Sequence, residues 1–269
     1  MGKEMEKVKD FWNVASCGEE LYLKGNELRD QFENQSRIRY QLEPYILSFA
    51  EFEKWKEKIV LEIGVGLGAD HQKLAEAGAV LTGIDLTERA IQYTSERFKI
   101  FNLTSDLKVE NAESLPFEDN TFDLVYSWGV IHHSPDTKRA KNEIYRVLKK
   151  GGPARIMIYN SKSIIGYMLW LRYGLFRFRP FISMKEIYSK YLESPGTKAY
   201  NLAEAYELFS DFNKIEIETV LTHGDLLSSE AGQRHKGMLL NIAKIIYPRQ
   251  LIKSLFPKNG LFMLIKLEK

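Results

Sequence analysis

Along residues 58–159, short β-branched runs alternate with segments whose apolar residues recur at helical spacing. Ile59-Val60-Leu61-Glu62-Ile63 stops at Gly64-Val65-Gly66-Leu67-Gly68, and a helix-like segment then runs to Ala77. Val80-Leu81-Thr82-Gly83-Ile84 stops at Asp85, after which Thr87 is placed to N-cap a helix carrying Ala90, Ile91, Phe98 and Phe101. Further strands are predicted at Leu107–Val109, Phe122–Ser127 and Ala154–Tyr159. Between the last two, Ser134-Pro135 offers a cap and a proline for the first turn. Ala140, Ile144, Val147 and Leu148 keep helical spacing, and Gly151-Gly152 ends the helix. Five strands alternating with helices predict an α/β fold with a doubly wound parallel sheet, since parallel neighbours need a crossover helix between them.

The flanks read differently. Residues 1–57 are helical and amphipathic, with Phe11, Trp12, Leu21, Leu28, Phe32, Ile38, Leu42, Ile46 and Phe49 among charges. Pro44 suits the first turn of a helix reaching about Trp55. Residues 160–213 are an aromatic and basic interruption, 214–221 and 261–267 are two late strands, and 225–256 is helix-forming. The expected division is a helical cap (1–57), a core (58–159), a helical lid inserted at 160–213, and a segment completing the core (214–269).

Composition narrows the class. With 269 residues, 44% hydrophobic and 28% charged, the chain suits a folded globular protein. Lys and Arg number 38 against 36 Asp and Glu, a formal charge of +2, so bulk charge announces neither a nucleic-acid nor a membrane partner. Cys17 stands alone, which excludes an internal disulfide or a zinc cluster and fits a reducing compartment; it reads as a small buried residue without a catalytic role. Met1 to Lys7 lack a signal peptide's apolar core, and Ser163 to Leu171 fall far short of the about 18 residues of a membrane span. A cytoplasmic protein without a membrane span is the expectation.

Gly64-x-Gly66 lies where a strand must turn into a helix and where a backbone without Cβ can approach a ligand. The same residues complete G-x-G-x-x-A through Ala69, with Asp85 about twenty positions on, so a nicotinamide dinucleotide competes with other nucleoside cofactors. A tight turn with no ligand is the plainer alternative. In either cofactor class Asp85 can accept from both ribose hydroxyls.

Four ordered segments resemble the class I S-adenosylmethionine (SAM) methyltransferases, the ubiquinone, menaquinone and natural-product relatives included. They are Glu62 to Gly68, Asn111-Ala112-Glu113 to Phe117, Phe122 to Ser127 followed by His132-His133-Ser134-Pro135-Asp136, and Arg146 to Gly152. The resemblance covers residues 59–159. It implies a mostly parallel seven-stranded Rossmann-like sheet, SAM as cofactor with S-adenosylhomocysteine as product, and no metal. It also assigns roles: Glu62 to the methionine amino group or a bridging water, Gly64 and Gly66 to close approach, Asp85 to the ribose, the Ala112 backbone with a flanking side chain and Asn111 to adenine, and Ser127 to the methionine end, with Gly68, Leu86 and Glu113 in the same cofactor-binding set. Asn111 departs from the family's usual aspartate, although its amide oxygen still accepts a hydrogen bond. A carboxylate such as Glu62 is tolerable beside SAM, which has no phosphates to repel.

Methyl transfer is an in-line displacement, where orientation can contribute up to about 7–11 kcal/mol. His132 and His133, just beyond the fourth strand, are candidate bases, with a structural role for each as the alternative. Acceptor contacts are expected from Trp12, Tyr22 and Arg39 and from Arg172, Tyr173 and Arg177, within a segment also rich in Tyr167, Trp170, Phe176, Phe178, Arg179 and Phe181. Those aromatics equally suit a lid-helix core and those arginines a solvated face. Interleaved arginines and rings also suit stacked single-stranded RNA, which the small net charge disfavours. The stretch Phe11-Trp12-Asn13 with Cys17 to Leu23 is similar to enzymes of natural-product and modified-peptide pathways, which implies O-methylation, at a carboxylate in one version. The alternatives are C- or N-methylation of a small molecule such as a quinone precursor, and a noncatalytic SAM- or dinucleotide-binding regulatory module. The expected partner is a small-molecule or peptide acceptor, not nucleic acid.

Overall fold

The computed structural model describes residues 2–16, 19, 23–229 and 247–269. Seven strands form one sheet: β1 (Ile59–Ile63), β2 (Val80–Asp85), β3 (Asp106–Val109), β4 (Leu124–Trp128), β5 (Pro153–Tyr159), β6 (Lys214–Val220) and β7 (Phe262–Glu268). Their order is β3-β2-β1-β4-β5-β7-β6. β1 to β5 run parallel, and β7 runs antiparallel to both β5 and β6. This is the seven-stranded, mostly parallel sheet expected from the sequence.

Apolar runs form the inner strands because both faces of the sheet are covered. Side chains alternate along β1 and β4: Val60, Leu124 and Tyr126 join the core on one face, and Leu61, Ile63 and Val125 the core on the other. The first face is covered by Leu74 and Phe98 from the helices Ala69–Glu76 and Glu88–Ile100, and by Ile46 and Phe49. The second is covered by Ile144 and Val147 from the helix Thr137–Val147, and by Phe209. The cap helix Leu28–Leu42 is tied to the core by the buried Arg97, whose guanidinium donates to Gln35 Oε1 at 2.8 Å and to the Phe32 carbonyl. After β1 the chain goes one way, to β2 and β3, and later returns on the other side to β4. That reversal opens a crevice at the carboxyl ends of β1, β2 and β4.

Three local expectations shift. The helix starting after Pro44 ends at Ala50, because Glu51 takes a left-handed φ of 52° and starts a separate 3-10 turn, Phe52–Trp55. The helix Thr137–Val147 is capped by Asp136, which accepts from Arg139 N–H at 2.9 Å, and not by Ser134, whose hydroxyl is given to Glu113. Gly151 lies in the turn into β5, since the helix already stops at Leu148 with extended backbone. Thr87 caps as expected, accepting from Ala90 N–H. Of the stretch 225–256, the helix Arg249–Leu255 is described and residues 230–246 lie outside the described residues. No helix among the described residues is long and apolar enough to cross a membrane.

Candidate functional site

The loop after β1 stays tethered to β2, with Gly64 and Val65 N–H donating to the Ile84 carbonyl at 2.7 and 3.2 Å. Its three glycines take positive φ but serve different ends. A Cβ on Gly64 would stand 2.1 Å from Val130 Cγ2, and one on Gly68 would stand 2.9 Å from Thr94 Oγ1, so both are required by protein packing. A Cβ on Gly66, at φ +53°, would meet nothing within 4 Å. Of the three, only Gly66 leaves its backbone bare to open space, which separates it from Gly64, expected to share that role. Asp85 ends β2 beside it: Oδ2 accepts from Gly66 N–H at 3.2 Å, and Oδ1 accepts from Thr87 N–H and hydroxyl at 3.0 and 2.8 Å. Burial raises the Asp85 pKa from its ordinary value, against the lowering effect of the Thr87 and Gly66 donors. Leu86 follows, half-buried.

Glu62 is buried with Oε2 2.8 Å from His71 Nδ1, and His71 Nε2 is 2.8 Å from Ser105 Oγ. The Ser105 hydroxyl donates to the Leu81 carbonyl, so Nε2 must donate to Ser105 and Nδ1 is left to accept a proton bond from Glu62. Charges agree with that assignment. Burial, reinforced by Asp70, pushes Glu62 well above the usual carboxylate range, and burial pushes His71 down to about 3. Glu62 is therefore a neutral acid with one oxygen held inward by His71. Gly83 makes the room, since a Cβ there would stand 2.5 Å from His71 Cε1.

Arg39, expected at the acceptor, is instead committed to carboxylates. Its Nε and Nη2 donate to the two oxygens of Asp70 at 3.0 and 2.6 Å, and Nη1 donates to Glu43 at 3.2 Å. Tyr40 and Tyr126 hydroxyls also donate to Asp70, at 3.0 and 2.8 Å. Burial alone would raise Asp70, but Arg39 and the two phenols hold it below its ordinary value. Glu43 is driven to about 7 by burial, with Arg39 opposing and Asp70 and Glu193 adding to the rise.

Beyond β3, Asn111 Oδ1 accepts from Glu113 N–H at 2.9 Å, and Glu113 accepts from the Ser134 hydroxyl and, at 2.7 Å, from Asp136 N–H. Glu113 thus braces the β3 loop against the β4 loop, with Ala112 half-buried between Asn111 and Glu113. A hollow of about 470 Å³ lies here, lined by Met5, Asn111, Glu113, Pro135 and Arg139 among others. On β4, Ser127 is fully buried and its hydroxyl has no partner among the described residues.

The histidines separate in role. His132 is fully buried between His133 and Tyr159, ring centroids 4.2 and 4.0 Å away, with both nitrogens unpartnered among the described residues. Burial, then the neighbouring His133 and Lys198, lowers its pKa far below the imidazole value, so it is neutral at pH 7. His133 has Nδ1 2.8 Å from Ser194 Oγ and Nε2 3.4 Å from Glu193 Oε2, and Glu193 also accepts from the Tyr159 hydroxyl at 2.6 Å. Trp12 meets the His133 ring edge-on at 5.2 Å.

The lid candidates are not gathered here. Arg172 and Arg177 are exposed, Arg172 lying over the Tyr173 ring, and Tyr173 stacks on Tyr191 at 4.1 Å. Tyr22 and Cys17 lie outside the described residues. Sequence reasoning missed His71, Ser105, Glu43, Tyr159 and Glu193. Tyr159 was findable as the last residue of a predicted strand, and His71 as a polar residue in the first turn after the glycine loop; Glu43 and Glu193 carry no local signal. Among the described residues no group of three or more His, Cys, Asp or Glu is arranged to hold a metal ion.

Residues 61–156 match the sequence model of a family described as a methyltransferase domain. The chain is 29% identical over 164 residues to sterol 4-C-methyltransferase strm-1 of Caenorhabditis elegans, covering 59% of this chain and 48% of that protein. It is 29% identical over 193 residues to demethylmenaquinone methyltransferase of Tropheryma whipplei, covering 66% of this chain and 79% of that one. The chain thus spans about half the length of the first relative and more of the second. The solved structure of Haemonchus contortus phosphoethanolamine N-methyltransferase 2, with phosphomonomethylethanolamine and S-adenosylhomocysteine, superposes with a TM-score of 0.60 at 18% identity. That alignment covers 97% of this chain and 60% of that one.

Proposed function

We propose that this chain, which through residues 61–156 belongs to the methyltransferase-domain family, binds SAM in the crevice of β1, β2 and β4 and directs its methyl group to a small-molecule acceptor. The observation that carries the reading is the open space over Gly66, whose N–H is bonded to Asp85 at the end of β2. On β4, which pairs with β1, the buried Ser127 hydroxyl has no partner among the described residues. SAM supplies an activated methyl group with a neutral thioether as leaving group. Asp85 accepts from the ribose hydroxyls, which share it with Gly66 N–H, the longest of its bonds. The bare Gly66 backbone lets the cofactor lie close, Ser127 meets its methionine end, and the Asn111 to Glu113 segment holds its adenine.

For the acceptor, the cap helix carrying Trp12 and the segment 160–213 close over the ends of β4 and β5 and exclude water. The pair His133–Glu193, with Tyr159, suits a hydroxyl or a protonated amine, each of which gives up a proton in the course of methylation. A carboxylate acceptor, one version of the O-methylation reading, would draw on the forked donors of Arg172 and Arg177, and these are exposed. Natural-product O-methylation survives as methylation of a hydroxyl. The relatives act, by their names, on a sterol and a quinone precursor, so the acceptor class is open to a direct screen.

The test incubates the protein with SAM and a panel of hydroxyl, amine and carboxylate compounds, with mass spectrometry for S-adenosylhomocysteine and a gain of one methyl group. Turnover with a hydroxyl or amine is expected. SAM binding without turnover of any compound would replace the enzyme with the regulatory-module reading.

A further inference from the structure

The helix Ile164–Tyr173 and the turn after it put apolar side chains into solvent. The helix buries Gly166 and Leu169, against Tyr188 among others, and turns Tyr167 and Leu171 outward. Leu175 continues that face, and beyond it Phe176, Phe178 and Phe181 are 73%, 95% and 99% exposed. Three rings so exposed within six positions exceed the scattered apolar residues of an ordinary surface. Phe178 also adopts a left-handed φ of 55°, rare for a bulky residue.

Charge identifies the occupant. From Ser161 to Lys185 the chain carries Lys162, Arg172, Arg177, Arg179 and Lys185 and no acidic residue, although the whole protein is nearly neutral. All five cations are exposed. Two copies facing each other through this patch would bring like charges together. A groove for single-stranded RNA would hold rings against its walls for stacking, whereas Phe178 and Phe181 are almost wholly exposed. Exposed Phe and Leu flanked by Arg and Lys match the acyl boundary and anionic headgroups of a bilayer. The one acid at the edge of the patch, Glu186, is paired with Arg179 at 3.1 Å and leaves Arg172 and Arg177 to the lipid.

We propose that the tip formed by Leu171, Leu175, Phe176, Phe178 and Phe181, with Arg172 and Arg177, docks on the surface of a membrane containing anionic lipids. The rings enter the headgroup–acyl boundary while the guanidiniums pair with phosphates. No helix among the described residues is long and apolar enough to span the bilayer. The inference stands apart from the methyl-transfer reading, because the patch lies outside the crevice and touches none of its residues named above.

The experiment is co-sedimentation of the full chain with vesicles of phosphatidylcholine, with and without about 30% phosphatidylglycerol. Expected is partitioning onto the anionic vesicles at least roughly tenfold stronger than onto neutral ones, weakened by high salt. Phe178→Ser with Phe181→Ser should lower it by roughly tenfold or more, and Arg172→Gln with Arg177→Gln should abolish the preference for anionic vesicles. Both ring positions are solvent-facing, so unchanged thermal unfolding and SAM binding in the variants separate loss of docking from loss of fold. Three results would overturn the proposal: no sedimentation of wild type with anionic vesicles, sedimentation unchanged in the ring variant, or a wild-type dimer or an oligo-uridine complex that the ring variant loses while no vesicle binds.

Discussion

Gly64 and Gly66 sit two residues apart in one loop, yet alanine at each should fail differently. At Gly64 a Cβ falls 2.1 Å from Val130 Cγ2 and 3.0 Å from two more Val130 carbons, at a φ of +83°. Left-handed backbone costs an L-residue about 1–2 kcal/mol, and overpacking adds about 1–3 kcal/mol, so Gly64→Ala should lose roughly 2–5 kcal/mol of stability. For a chain of this size that lowers the melting temperature by on the order of 10 °C. Val130→Ala should return part of it by removing the clashing methyls. At Gly66 the Cβ meets no protein atom, so Gly66→Ala should lose only the about 1–2 kcal/mol of left-handed backbone. Its methyl would stand in the space proposed for the cofactor. If that contact costs about 1–3 kcal/mol, SAM affinity falls roughly 5- to 150-fold. The assay pairs thermal unfolding with calorimetric titration of SAM on both variants. Gly66→Ala binding SAM as wild type does would remove the cofactor from that space, and Gly64→Ala melting with wild type would refute the packing argument.

Three further outcomes follow from the site. Asp85→Ala should weaken SAM binding by about 1.5–3 kcal/mol through loss of a charged acceptor, measured by the same titration; unchanged affinity in a folded variant would exclude Asp85 from the ribose contact. The Glu62–His71 pair holds one proton in the folded chain from about pH 3 upward, until Glu62 ionises. The unfolded chain holds two below about pH 4.3 and none above about 6.5, so the pair's stabilisation is greatest at about pH 4.3–6.5 and falls on both sides. Glu62→Gln should remove the alkaline fall, which denaturant unfolding at acid and alkaline pH would detect, and an unaltered pH slope would contradict the proton assignment. Arg39→Met should cost about 3–5 kcal/mol by leaving Asp70 charged and unpaired, with Asp70→Asn restoring part; a loss under 1 kcal/mol would break the clamp argument.

The sheet was legible because its inner strands are buried on both faces, so Ile59–Ile63 and Pro153–Tyr159 read as apolar runs with little interruption. The glycine loop and Asp85 were legible by spacing. What each glycine does was not, because Val130 and Thr94 reach Gly64 and Gly68 from distant segments. Arg39 looked like a ligand donor for the same reason. Its bidentate partner Asp70 is 31 positions away, and only the fold sets the cap helix on the helix Ala69–Glu76. Helix caps failed by competition: Ser134 is a good cap by type, but Glu113 takes its hydroxyl and leaves the task to Asp136. The aromatic and basic composition of 160–213 suits a lid with acceptor contacts as well as a lid-helix core, and it gives no sign that the rings at 176, 178 and 181 face solvent.

Calorimetric titration of one protein sample with S-adenosylhomocysteine and with NAD tests most directly whether the crevice holds SAM and not a dinucleotide. One S-adenosylhomocysteine should bind per chain, with affinity reduced in Asp85→Ala, and NAD should give no measurable heat. Saturable NAD binding with none for S-adenosylhomocysteine would contradict the SAM assignment.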